Sequence, residues 1–319
     1  MFCSTIIPTV GRSTLSRAVL SVLNQNFLLD NFEIIVVNDS GQPLPEESWQ
    51  ISERVHIINT NRRERSIARN TGAAVAKGTY LHFLDDDDWL LPGALEEFWK
   101  LAQLNKGAWL YGSTHLVDRK GNPLIQLHHK INGNGFIQVM AGEWIPLQVS
   151  IVRSESFFEV GGFNPLVSGP EDIDLCRKIA LKNDFVYTDT AIACIAWGQE
   201  GSTTNPDAHP EMSRWARENI LNDQGVFSRM RKSATSSYWH GRIMRAYLTS
   251  LIWNLQRRQI FVAVSRGVFA LGGFLLALHH ATSRSYWQAV KAAYESEVFR
   301  QGFLALEQTP DLVSGEKSF

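Results

Sequence analysis

Four consecutive carboxylates, Asp85 to Asp88, follow directly on the apolar run YLHFL that ends at Leu84. Ionised groups this close repel one another, each close pair costing roughly 3 to 4 kcal/mol at an effective dielectric of about 20, and much less where water reaches them. A solvated turn could carry such a run cheaply. Its position argues for chemistry instead. The run lies between a buried strand and an amphipathic helix opening at Pro92, with Leu91, Leu95, Phe98, Trp99 and Ala102 on one face. If the chain stays extended for two more residues, the period of two puts Asp85 and Asp87 on one face at the strand's carboxyl end. Two converging carboxylates there suit a hard divalent cation.

The elements that must hold these groups alternate. STIIPTV reads as a strand, followed by Leu15, Ala18, Val19, Val22 and Leu23 at helical spacing behind a Ser13 or Thr14 cap. FEIIVVNDSG is a strand ending at Asp39, RVHIINT another strand, and SIARNTGAAVAKG a helix closed by Gly78. Strand–helix alternation argues a parallel α/β sheet whose ligands lie beyond the carboxyl ends of the strands, where Thr9, Asp39 and the Asp run all fall. Past Trp109 come irregular strands with a DRKGNP hairpin turn, LQVSIVR, a helix from Ser154 to Val160, and GGFNP. A helix then begins in GPEDIDLCRKIALK with Pro170 in its first turn, and two strands, FVYT and AIACIAW, lead to the loop GQEGSTTNP. Beyond about Asp207 the pattern is helical throughout.

In this order, the segments IIPTVGR, SVLNQ, EIIVVNDSG, ARNTGAAVAKGTYLHFLDDDDWLLP, VGGFN and EDIDLCRK resemble the inverting glycosyltransferases of family 2. The resemblance runs from about Phe2 to Thr204. It implies an α/β GT-A nucleotide-diphospho-sugar transferase fold, a Rossmann-like mixed sheet flanked by helices, over residues 1–206, leaving 207–319 as a basic helical extension. It also implies transfer from a nucleotide sugar, expected to be UDP-linked, to a hydroxyl of a glycan or lipid-linked acceptor. Carried over residue by residue, Asp39 would recognise the uracil or ribose, with Thr9 and Arg12 lining the same pocket. Arg69 would face the diphosphate, with Arg65 as its competitor, because a guanidinium matches phosphate geometry. Asp85 and Asp87 would be the DXD pair that holds Mg²⁺ or Mn²⁺, Asp87 ahead of Asp85 as the direct ligand, with Asp86 between them in the donor-binding set; oxygen-only ligands agree with those hard ions and disfavour zinc. Asp172 would be the general base that withdraws the acceptor proton, with Glu171 as second choice and Asp174 as third. Acidic residues at a helix N-terminus also interact favourably with its dipole, which is the other account of this ED pair.

The chain departs from the family where an aromatic residue and Asn commonly follow IIPT: here stand Val10 and Gly11. In the later loop, Gln199 stands where a histidine is usual. Two other classes fit parts of the pattern. A nucleotidyltransferase would share the acidic metal ligands but needs a glycine- and lysine-rich loop near the first strand, which is missing. A noncatalytic membrane-associated scaffold derived from a transferase is compatible with Val10 and Gln199.

Composition, 44% hydrophobic and 20% charged, is that of a soluble globular chain. Cys3, Cys176 and Cys194 are odd in number and lack CxxC spacing, reading as reduced core residues of a cytosolic protein; no signal peptide is expected. The net charge of −1 conceals an asymmetry. From Gly225 to Tyr294 there are ten Lys or Arg and no Asp or Glu, which leaves −11 on the rest. The apolar stretch Ile260 to Leu278 is interrupted by Ser265, Arg266 and three glycines, which disfavours a membrane span. The expectation is an interfacial helix pair at the cytoplasmic face of an anionic membrane; no nucleic-acid module is recognisable. His128–His129 and His279–His280 read as loop or surface residues. Trp144 and Trp197 could pack in the core or stack on sugar rings.

Overall fold

The computed structural model describes residues 1–27, 31–60, 64–104, 107–118, 121–140, 142–196, 209–231, 236–276, 278, 282–284 and 287. Its strands are β1 (Cys3–Thr9), β2 (Phe32–Asn38), β3 (Val55–Asn59), β4 (Tyr80–Phe83), β5 (Trp89–Leu90), β6 (Trp109–Val117), β7 (Pro123–Leu127), β8 (Ser150–Arg153) and β9 (Phe185–Ala196). The helices are α1 (Leu15–Leu23), α2 (Arg65–Val75), α3 (Ala94–Leu104), α4 (Phe136–Met140), α5 (Ser154–Glu159), α6 (Glu171–Lys182), α7 (His209–Leu221), α8 (Val226–Arg231), α9 (Ser236–Gln256) and α10 (Ile260–Leu276).

Among the described residues the strands form one mixed sheet in the order β3-β2-β1-β4-β8-β6-β9-β5, with β7 paired to β6. The first four are parallel, as the alternating elements require, and β8 then runs antiparallel to both β4 and β6. Two antiparallel steps restore the original direction, so β1, β2, β3, β4, β6 and β9 all end on one side. One face buries Leu15, Val19 and Val22 of α1 with Leu95 and Phe98 of α3. The other buries Ala68 and Ala73 of α2 with Leu175 and Ile179 of α6. Ile220 of α7 and Val226 of α8 join this second cluster, so these two helices pack on the sheet's own core.

Gly72 explains how closely α2 lies on the sheet. A Cβ there would stand 2.5 Å from Ile6 Cγ2, so only glycine lets this helix approach β1 and bring Arg65 and Arg69 to the strand ends. Helix ends differ from the sequence reading. Thr14 occupies the N-cap of α1 in αR geometry without a side-chain cap bond, and α2 stops at Val75, leaving Gly78 in the connection to β4. Pro170 is the residue before α6 rather than part of its first turn. The expected pair FVYT and AIACIAW is the single strand β9, because pairing with β6 resumes beyond a register shift near Ser113. Gly112 permits that irregularity, since a Cβ would meet Ile192 Cγ1 at 2.4 Å. All three cysteines are buried and free.

His82, wholly buried in β4, contacts the Gln148 carbonyl at 3.0 Å and Thr5 Oγ1 at 3.2 Å. Burial lowers its pKa from 6.5 to about 4, against the pull of the Gln148 carbonyl. As pH falls below the unfolded value, the unfolded chain binds a proton that the folded chain refuses until about pH 4. Stability is therefore lost across that window, by about 2 kcal/mol from this group at about pH 5. Urea midpoints measured at about pH 7.5 and about pH 5 should fall further for the parent than for His82→Gln.

Candidate functional site

The Asp run leaves the sheet as a turn. Leu84 still donates its N–H to the Ile6 carbonyl at 3.0 Å, but Asp88 N–H then bonds back to the Asp85 carbonyl at 3.1 Å. The extended alternation expected for Asp85 and Asp87 is thus replaced by a reversal, with the same two residues still together. One oxygen from each of Asp85, Asp87 and Asp88 lies within 4.8 Å of the others. Asp86 points instead to β1, where its carboxylate accepts from Thr9 Oγ1 and Arg12 Nη1, both at 2.6 Å. Arg12 Nη1 also stands 3.5 Å from Asp87 Oδ2, and Arg17 donates to the Asp87 carbonyl at 2.8 Å.

The three converging carboxylates do not carry charge equally. Asp85 stays low although burial opposes its ionisation, because Arg69 outweighs that cost and Gln148 donates to its second oxygen at 2.7 Å. Burial and the Asp85 charge push Asp87 up to about 6, against Arg12. Asp88 is raised well above the usual carboxylate range by burial, Asp85 and Asp87, even with the Ala196 N–H on its Oδ1 at 2.9 Å. Such a cluster gains from a cation that lets all three ionise, and an oxygen-only donor set fits Mg²⁺ or Mn²⁺.

Arg69 is enclosed, 3% exposed, with Nη2 on Asp85 Oδ1 at 2.6 Å and Nη1 on Glu171 Oε1 at 2.8 Å. Burial works against its charge, and Asp85 and Glu171 outweigh it, holding the guanidinium protonated. Arg65, more open, reaches the same Glu171 oxygen through Nε at 3.0 Å. The sequence thus places a buried cation between the acidic turn and the start of α6, and breaking so enclosed a pair costs about 3 to 5 kcal/mol. Glu171 is itself buried, and burial raises its pKa despite Arg69.

Asp172, one residue on, is half-buried: Oδ1 accepts the Ile173 N–H at 2.7 Å and Oδ2 accepts the Trp144 indole N–H at 3.0 Å. Asp174 turns away to Lys178 at 2.6 Å. At the end of β2, Asp39 accepts from the Thr60 hydroxyl and, at 2.6 Å, from the Glu64 N–H, tying β2 to the start of α2. Glu64 in turn caps α2 through Ser66 and Ile67 N–H. Thr9, Arg12, Asp39, Arg65, Arg69, the Asp turn, Glu171 and Asp172 are all linked to this end of the sheet. Gln148 and Trp144, partners of Asp85 and Asp172, were not legible as such, because each bond spans a long sequence separation and follows no local spacing.

His128 and His129 do project apart. His128 Nδ1 meets Ser113 Oγ at 2.9 Å and Asp189 at 3.3 Å, while His129 sits edge-on to Trp144. Trp197, Gln199, His279 and His280 lie outside the described residues.

The model of glycosyl transferase family 2 matches residues 4–152. The poly(ribitol-phosphate) beta-N-acetylglucosaminyltransferase TarP of Staphylococcus aureus is 32% identical over 37% of this chain and 38% of its own. A Campylobacter jejuni GalNAc(5)-diNAcBac-PP-undecaprenol beta-1,3-glucosyltransferase is 32% identical over 41% of this chain and 42% of its own. The chain spans between 32% and 63% of the length of the first curated relatives it matches. The crystal structure of S. aureus TarS residues 1–349 with UDP-GlcNAc superposes with a TM-score of 0.60 at 17% identity, covering 83% of this chain and 90% of that one. This likeness establishes the fold.

Proposed function

We propose that this chain, whose residues 4–152 match the model of glycosyl transferase family 2, moves a sugar, with inversion, from a UDP-sugar to a hydroxyl of a glycan or lipid-linked acceptor. The observation that carries the reading is the convergence, at one end of the sheet, of the Asp85–Asp87–Asp88 cluster with Asp172, joined through Arg69 and Glu171. Donor class is supported by the TarS complexes with UDP-GlcNAc and UDP, and acceptor class by the names of TarP and the undecaprenol-linked transferase.

In this reading Asp39, Thr9 and Arg12 line the uridine side. Arg65 faces the diphosphate, since Arg69 is enclosed by its two carboxylates. Asp85, Asp87 and Asp88 would hold Mg²⁺ or Mn²⁺, which when bound neutralises charge developing on the departing diphosphate. Asp172 takes the acceptor hydroxyl proton as that oxygen attacks the anomeric carbon, and the bond to the diphosphate breaks with its electron pair leaving on UDP. Glu171 serves the site as the anchor of Arg65 and Arg69. The test is metal-dependent release of UDP from a panel of UDP-sugars. No release from any of them would favour the scaffold reading, and pyrophosphate from UTP a nucleotidyltransferase.

The same reading puts the enzyme on the cytoplasmic face of an anionic membrane. Among the described residues no helix is long and apolar enough to cross one. Yet α10 exposes Phe261, Val264, Val268, Leu271 and Leu275 at spacings of three and four, with exposed Arg257 and Arg258 before it and Arg284 beyond it. An apolar face flanked by cations suits an interfacial helix. Co-sedimentation with anionic vesicles should weaken as salt rises and disappear in Val264→Glu/Leu271→Glu. Binding that survives this double variant would remove α10 as the contact.

A further inference from the structure

We infer that Trp144 is the positioning residue for the base: its indole N–H fixes the plane of the Asp172 carboxylate and leaves the free lone pairs facing the acceptor. The inference rests on the reading of Asp172 as general base. A carboxylate offers about four acceptor sites, and a short side chain at a helix start can rotate among them. Here two fixed donors remove that freedom. One is the Ile173 backbone N–H on Oδ1 at 2.7 Å, held by α6 itself. The other is Trp144 Nε1 on Oδ2 at 3.0 Å, brought from a segment 28 residues earlier.

Trp144 is rigid for reasons independent of Asp172. Its ring packs on a small apolar cluster of Leu116, Leu127 and Ile195, and His129 meets it edge-on with centroids 6.4 Å apart. Trp144 is half-buried, and a backbone carbonyl or water would satisfy its indole N–H as well as a carboxylate. The choice of Asp172 therefore calls for a reason beyond packing. The supporting cluster supplies one. Ile195 belongs to the cluster on which the ring packs, and the next residue, Ala196, donates to Asp88 Oδ1 at 2.9 Å. The end of β9 thus registers the base against the acidic turn from one side, while Arg69 and Glu171 do so from the other. General-base catalysis depends on that registration, since a misplacement of about 1 Å costs up to about 10²-fold.

The experiment measures UDP release from UDP-N-acetylglucosamine with water as the acceptor, in Trp144→Phe and Asp172→Asn. Phenylalanine keeps the apolar ring and removes only the donor. For Trp144→Phe, kcat should fall about tenfold with the donor KM and melting temperature unchanged, about the loss of one such hydrogen bond. A second readout is independent of activity. In ¹⁵N-tryptophan-labelled protein the indole resonance missing from Trp144→Phe should shift in Asp172→Asn. Parental or increased kcat in Trp144→Phe, with Asp172→Asn crippled, would overturn this inference alone. An unmoved indole resonance would also overturn it. Parental activity in Asp172→Asn would instead remove the base, and with it any role in positioning one.

Discussion

Asp87→Ala is expected to abolish the metal-dependent part of UDP binding, measured by calorimetry with and without Mn²⁺. Of the three converging carboxylates, Asp85 already has both oxygens engaged, by Arg69 and Gln148, and Asp88 accepts the Ala196 N–H. Asp87, like Asp88, has its pKa held up, here to about 6, by burial and by the Asp85 charge, with Arg12 only partly opposing. In the proposed reading a bound cation would relieve that repulsion, so the crowding of the three carboxylates would be part of the cluster's affinity for metal. Removing Asp87 takes away both a ligand and the repulsion. The loss should exceed the roughly 10- to 100-fold that removing an outer partner costs a metal site. Asp39→Ala provides the contrast, weakening UDP binding while leaving the preference among metals alone. Undiminished Mn²⁺-dependent UDP affinity in Asp87→Ala would remove the cluster from the donor site.

The strand–helix alternation was legible because β1, β2 and β4 are rich in apolar residues, as strands buried on both faces require, while β3, at the sheet edge, is largely exposed. β1, β2 and β4 fall where the pattern puts them. What periodicity could not supply was how the chain leaves a strand. Alternation continued through Asp87 on paper; in the structure the Asp88 N–H closes a turn on Asp85, bringing Asp88 into the cluster and sending Asp86 to Thr9 and Arg12. The antiparallel insertion of β8 is likewise a tertiary fact, because its four residues pair with strands distant in sequence. The acidic groups themselves could be found from position alone. Their partners could not: Gln148, Trp144 and the Arg69–Glu171 pair, 102 residues apart, meet only once the sheet is assembled.

Asp172→Asn should preserve donor affinity and lower turnover by about 10² to 10⁴, the range for loss of a general base. The surroundings of the two candidate carboxylates support this choice. Glu171 is enclosed: its Oε1 accepts from both Arg65 and Arg69, and its Oε2, which has no hydrogen-bond partner, is buried, so an acceptor hydroxyl has no open approach to either oxygen. Asp172 is half-buried, carries one donor on each oxygen, and keeps lone pairs for a third. Asparagine there can accept from only one of Trp144 and Ile173, so a modest loss of stability, about 1 kcal/mol, should accompany the kinetic effect. Glu171→Gln behaves differently in this account. It unbalances the buried Arg69 guanidinium and the more open one of Arg65, and its loss of activity should come with a loss of stability of about 3 to 5 kcal/mol and a weakened grip on Asp85. Kinetics and urea midpoints on both variants separate the cases. If Asp172→Asn turns over at the parental rate while Glu171→Gln is inactive but fully stable, the base is Glu171, and the arginines around it are there to tune its proton rather than to hold the turn.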